Sequence, residues 1–202
     1  MCSQYHVNNE VMAELKGTVS VVEPDALSCS GDIRPSDAAP VIDGAAPGLR
    51  LGIMRWGFHK SDGKGFLINA RAETAAQKSI FRESLLNRRC VIPASRFYEW
   101  DKAKRKTAFS RPDSPLLCFA GFYRVDDGEP RFVILTTEAN ESVLPVHERM
   151  PLVLDREQIA KWVYDGRQTQ TILRQKMPPM VRQIEPREQK SSELYLFPEF
   201  EG

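Results

Sequence analysis

Cysteine is scarce in this 202-residue chain, and its four copies, at positions 2, 29, 90 and 118, form no C-x-x-C pair. No histidine stands at ligand spacing from any of them, so no metal site is expected. A disulfide framework does not fit a chain of this size and class. Long apolar runs are missing too: nothing approaches the roughly 20 apolar residues that a membrane-spanning helix needs. The opening stretch, MCSQYHVNNEV, lacks the basic and apolar regions of a secretory signal. A cytoplasmic protein, with no membrane contact and no cofactor, is the expectation. Repeats and low-complexity tracts are absent, and no linker is long enough to divide the chain.

What is present is ordinary globular composition, 42% apolar and 27% charged, in a length that suits one domain with a sizeable core. The net charge of +1 hides an uneven distribution. Between positions 82 and 111 stand nine basic residues (Arg82, Arg88, Arg89, Arg96, Lys102, Lys104, Arg105, Lys106, Arg111), opposed only by Glu83, Glu99 and Asp101. A basic stretch suits a polyanion such as nucleic acid. A solvated surface loop accounts for the same composition, so charge alone decides nothing.

Periodicity predicts mixed elements. Residues 8–16 read as a short helix capped by Asn8 or Asn9, with Gly17 after its end. Residues 23–48, rich in Pro, Gly, Asp and Ala, read as loop around a short Val41-Ile42 strand. Strands are expected at 49–58, 90–100, 107–110, 116–123 and 131–137. Helices are expected at 74–89, with Thr74 as cap, at 138–144, and at 155–164, with Asp155 as cap and Gly166 as stop. A last turn or two is expected at 168–175. Together these predict one α+β domain over 1–202, with a curved, mainly antiparallel, barrel-like sheet, flanking helices and a peripheral tail from about 187.

Four places carry groups able to do chemistry. Cys2 becomes N-terminal if the initiator Met is removed, which leaves an amine and a thiol on adjacent carbons. In small peptides these titrate near 7.7–8.0 and 8.5, so a fraction of each is nucleophilic at neutral pH. A 1,2-aminothiol condenses with an aldehyde through an imine to a thiazolidine ring. Position alone is weak support, because many chains carry Cys at position 2. Second, Asn69 in Asn69-Ala70-Arg71-Ala72-Glu73 can orient an amine, and Arg71 can clamp a phosphate. Third, Glu99 lies between Tyr98 and Trp100 on a strand, where partial burial would raise its pKa and suit it to general acid–base work. Fourth, His147 sits between Pro145 and Pro151, with Arg149 two residues on. Each place also has a bland reading, as a helix start, an edge carboxylate or a tight turn.

The four taken together, in this order and spacing, resemble the SRAP family, the SOS response-associated peptidase or abasic-site processing domain. Pro93-Ala94-Ser95-Arg96-Phe97-Tyr98-Glu99-Trp100 and His147-Glu148-Arg149-Met150-Pro151 carry most of the likeness. Arg34-Pro35-Ser36 and Arg55-Trp56-Gly57 add two further stretches. The resemblance implies the SRAP fold and an enzyme that crosslinks to abasic sites in single-stranded DNA during the DNA-damage response, with associated lyase and crosslink-reversal activity. By that likeness Cys2, Asn69, Glu99 and His147 are catalytic. Arg71, Arg149, Gln4, Arg96, Pro35 and Ser36 contact DNA, and Trp56 stacks on a base as an exposed aromatic would. The family opens Met-Cys-Gly-Arg where this chain has Met1-Cys2-Ser3-Gln4, so Gln4 lacks the charge of that arginine. A monomer that associates with the nucleoid when acting is expected. Two rival readings remain: a thiol (auto)peptidase using Cys2 and His147, and a single-strand-binding module without chemistry.

Overall fold

Short runs of alternating apolar and polar residues dominate the chain, and strands follow from them in the computed structural model, which describes residues 2–15, 17–45 and 48–186. In chain order the strands are β1 (Gln4–Val7), β2 (Val21–Val22), β3 (Gly31–Ile33), β4 (Ala38–Ala45), β5 (Gly48–Trp56), β6 (Phe58–His59), β7 (Phe66–Leu67), β8 (Asn69–Arg71), β9 (Arg89–Ala94), β10 (Arg96–Trp100), β11 (Lys106–Ser110), β12 (Leu117–Asp126), β13 (Glu129–Glu138), β14 (Arg149–Pro151), β15 (Val153–Leu154) and β16 (Val181–Ile184). The α-helices are α1 (Asn9–Glu14), α2 (Pro24–Ser28), α3 (Ser79–Asn87), α4 (Gln158–Tyr164) and α5 (Thr169–Leu173).

Strands β13, β12, β9, β4 and β5 neighbour one another in that order, and β5 returns to pair with β13. The ring closes in parallel through Arg131–Arg55 and Phe132–Trp56. This closed ring is the barrel-like core that the sequence predicts, within one α+β domain. At Gly121 on β12 an added Cβ would come within 2.5 Å of both Ile92 Cδ1 and the Val133 carbonyl oxygen, so no side chain fits there. A second sheet, ordered β16-β11-β10-β1-β3, covers the barrel. Its inward rings make the joint: Tyr5 lies 5.2 Å from Trp56 and 5.9 Å from Phe119, and Phe97 lies 6.1 Å from Phe119. Such aromatic contacts contribute beyond their buried area.

Several elements differ from expectation. Residues 23–48 are not loop: α2, β3 and the eight-residue β4 form there, because barrel closure supplies β4 with partners on both edges. The expected 90–100 strand is two strands, β9 in the barrel and β10 in the covering sheet, separated at Ser95. The Ser95 N–H and hydroxyl both donate to the His6 carbonyl there. No helix forms at 138–144. Strand β13 runs through Glu138, and Asn140 binds the Ser142 N–H and hydroxyl, a local bond that competes with helix. Thr74 makes no side-chain cap; a 3₁₀ turn, Ala75–Gln77, precedes α3. Helix α4 begins later than expected and Asp155 does not cap it. Asn8, by contrast, caps α1 through the Val11 N–H. The tail from 187 lies outside the described residues. Among the described residues no helix is long and apolar enough to cross a membrane.

Candidate active site

Strand β10 sets the site by its two-residue period. Phe97 points into the joint between the sheets, Tyr98 points out, and Glu99 turns inward again, at 2% exposure. Burial pushes the Glu99 carboxyl from 4.5 up to about 7. Beside it is Cys2, also fully buried, which precedes β1; that strand pairs with β10 at Gln4–Tyr98. The Cys2 Sγ donates to the Gln4 carbonyl oxygen at 3.6 Å. Burial first, and the Glu99 charge second, push this thiol far above its ordinary range. Its protonated form therefore prevails at neutral pH.

Asn69 reaches the same point from β8, which lies parallel to β13. Its Nδ2 donates to the Cys2 carbonyl oxygen at 2.7 Å. The Asn69 Oδ1 is buried without a hydrogen-bond partner among the described residues, so it offers an acceptor next to Cys2. His147 enters just ahead of β14. The Arg149 N–H donates to its Nδ1 at 2.9 Å, which leaves the neutral ring's proton on Nε2. Partial burial lowers the His147 pKa, so the neutral ring prevails at pH 7. A cleft of about 760 Å³ is lined by His147, Glu148 and Trp100 together with Lys102 and Arg105 of the β10–β11 turn. An acid near neutrality and an unmatched amide oxygen thus stand beside a buried cysteine, and a neutral imidazole lines the cleft next to Trp100. That set can move protons at a carbonyl centre without a metal.

Other expected contacts are placed differently. Trp56 is 0% exposed; its Nε1–H donates to the Ile68 carbonyl and its ring stacks on Phe132. Barrel closure at Phe132–Trp56 seals it in, which corrects the expectation of an exposed stacking surface. The tryptophan that faces a cleft is Trp100, and the inward turn of Glu99 signals as much, because neighbours on a strand face opposite ways. Arg149 is also corrected: its side chain is 9% exposed, and its two terminal nitrogens each lie 2.8 Å from the Glu73 carboxylate. Its guanidinium ties β14 to the segment after β8 instead of standing free for a phosphate. Gln4 is buried and its amide donates to Asp32, so it is no open DNA contact. Arg96 lines a separate cleft with Ser95, Ser110 and Arg111, away from His147. Pro35 and Ser36 form a half-exposed turn held by Ser36 N–H to the Trp56 carbonyl. Arg71 is exposed at the end of β8.

The basic stretch is divided among several environments. Arg89 is buried against the Trp162 carbonyl, Arg111 pairs with Asp113 and Asp155, and the residues from Lys102 to Lys106 flank Trp100. Sequence reading missed Asp32, on which Gln4, His6, Tyr98 and Lys106 converge. No local signal marks it, because β3 meets β1 only in the tertiary fold.

Solved structures share this architecture. A crystal structure of a Bacteroides thetaiotaomicron protein has a TM-score of 0.78 at 21% identity, covering 92% of this chain and 93% of that one. One from Bordetella bronchiseptica has 0.76 at 21% identity, covering 92% and 100%. They define the class as a barrel-centred α+β domain with the covering sheet described above. By sequence, residues 1–191 match the SOS response associated peptidase (SRAP) family, and the chain belongs to it. Among its relatives are the abasic site processing proteins YoqW of Bacillus subtilis, 36% identical over 148 residues that cover 66% of each chain, and YedK of Escherichia coli, 33% identical over 124 residues that cover 57% and 55%. Chicken HMCES, also named an abasic site processing protein, is 31% identical over 147 residues, covering 54% of this chain and 44% of its own. The match thus spans two thirds or less of these relatives' length.

Proposed function

We propose that this chain processes abasic sites in single-stranded DNA and does so through a covalent thiazolidine at Cys2. Removal of Met1 frees the Cys2 α-amine. The amine adds to the ring-opened aldehyde of the abasic sugar and water leaves, giving an imine. The thiol sulfur then adds to the imine carbon and its proton passes to the nitrogen, closing a five-membered ring. Glu99, half protonated near pH 7, donates the proton to the departing water and returns one during reversal. Asn69 Oδ1 accepts from the amine and orients it. His147, with its proton on Nε2, serves the sugar hydroxyls and the β-elimination that gives lyase activity. Arg71 holds an adjacent phosphate. Selectivity follows because intact nucleotides present no aldehyde.

The observation that carries this reading is the Asn69–Cys2 hydrogen bond beside a buried carboxyl that titrates near 7. The rival thiol peptidase would also use the Cys2 sulfur but needs no abasic aldehyde, so adduct formation separates the two readings. The test is incubation of Met-processed protein with a single strand carrying one abasic site, read on a denaturing gel and by mass spectrometry. An adduct is expected from the parent and none from Cys2→Ala, with DNA binding retained by that variant. Adduct formation by Cys2→Ala would overturn the mechanism.

A further inference from the structure

Asp32 is the meeting point of side chains from three other strands, and no part of the proposed chemistry uses it. Strand β3 places it opposite His6 of β1. The Gln4 amide donates to one of its carboxylate oxygens and the His6 Nδ1–H to the other, the latter at 2.8 Å. From β10 the Tyr98 hydroxyl donates at 3.2 Å, and from β11 Lys106 Nζ stands 3.6 Å away. Burial by itself would raise the Asp32 carboxyl. The hydrogen bond from His6, the Lys106 charge and the Tyr98 hydroxyl outweigh it and hold the group below the ordinary carboxylate range. Asp32 is therefore an anion at neutral pH, and hydrogen bonds to an anion are about twice as strong as neutral ones.

Two of these bonds end beside the reacting groups. Gln4 and Tyr98 are paired directly across β1 and β10. The Gln4 carbonyl accepts from the Cys2 thiol, and Tyr98 immediately precedes Glu99. Tyr98 and Glu99 face opposite ways on their strand, so Asp32 grips the sheet from the side away from the Glu99 carboxyl. The β1–β10 ladder has three residue pairs and ends at Gln4. A chain end held by so few main-chain bonds stays in place only when it is tied down further. We propose that Asp32 is a positioning residue for the covalent step: by holding Gln4 and Tyr98 together it sets the separation of the Cys2 amine from the Glu99 carboxyl. The proposal rests on the Cys2 reading above and deepens it by naming a residue that acts through Cys2 and Glu99.

The test is the single-turnover rate of adduct formation at saturating single-stranded DNA carrying one abasic site, with each variant assayed below its melting transition. Asp32→Ala should slow the step by about tenfold to a hundredfold, the loss that an ångström-scale displacement of reacting groups brings. Its affinity for a strand carrying a tetrahydrofuran analogue, which has no aldehyde, should not fall. Added to Glu99→Gln, the same substitution should cost no more than about a further twofold, because a displaced carboxyl has already stopped contributing. Two milder variants keep the test open if Asp32→Ala does not fold. Tyr98→Phe deletes one oxygen and keeps the ring, and Gln4→Leu keeps the main-chain carbonyl that holds Cys2; each should lose part of the same rate. His6→Ala removes a bond to Asp32 that ends away from both reacting groups, and it should keep the parent rate. The proposal falls if Tyr98→Phe and Gln4→Leu both react at the parent rate, or if His6→Ala is slowed as much as they are. It falls equally if Asp32→Ala shows its full loss in the Glu99→Gln background, which marks a merely structural tie. Absence of adduct from the parent protein sinks the Cys2 mechanism and this proposal with it, whereas a parent adduct with any of those three results sinks this proposal alone.

Discussion

Replacing Glu99 with Gln should stabilise the fold at alkaline pH while removing its chemistry. Glu99 is 2% exposed, and its carboxyl titrates at about 7 against 4.5 for the free group. Between those values the folded protein holds a proton that the unfolded chain has released. Stability therefore falls as pH rises through that window, and the whole cost is present above about 7. The interval corresponds to about 3 kcal/mol, at 1.36 kcal/mol for each tenfold change in proton affinity. Glu99→Gln keeps the shape and abolishes the ionisation. It should gain about 3 kcal/mol over the parent at pH 8 and less than about 1 kcal/mol at pH 5. Urea unfolding followed by tryptophan fluorescence reads this directly, because Trp56 and Trp162 are fully buried. An equal gain at both pH values, or none at pH 8, would refute burial as the cause of the raised pKa. The same variant should slow both adduct formation and reversal, a site held at a cost to stability.

Trp56→Ala should destabilise the protein by about 3–5 kcal/mol, as loss of a fully buried large ring does; a thermal melt unchanged within about 1 °C would restore Trp56 to the surface. Glu73→Gln should weaken the hold on the buried Arg149 guanidinium, costing about 2 kcal/mol, less than a fully buried pair because Glu73 is itself partly exposed. Because Arg149 also orients His147 through its N–H, that variant should slow adduct formation without weakening DNA binding, and Glu73→Asp should recover part of the rate. Weakened DNA affinity with a normal rate would return Arg149 to a phosphate-binding role.

Local pattern and residue chemistry, read from the sequence alone, determined much of this protein. The α+β class, the Asn8 cap of α1 and strand 49–58 follow from periods of 3.6 and 2 and from side-chain capping. Cys2, Asn69, Glu99 and His147 were legible as candidates for chemistry, whereas the sequence left Glu99 open between a partly buried carboxylate and an edge one facing solvent, and the fold buried it. What the tertiary structure alone decided is which of these meet and which charges remain free. Closure of β5 onto β13 is a contact between residues some 76 positions apart, as in Arg55–Arg131; it buried Trp56 and left Trp100 facing the clefts. The Arg149–Glu73 pair joins two strands distant in sequence, so an arginine that reads as a phosphate ligand became a structural tie. Asp32 gathered Gln4, His6, Tyr98 and Lys106 only once β3 lay beside β1. Periodicity says which way a side chain faces within its own element; strand pairing over long separations decides what it faces, and that pairing is fixed by packing of the whole core.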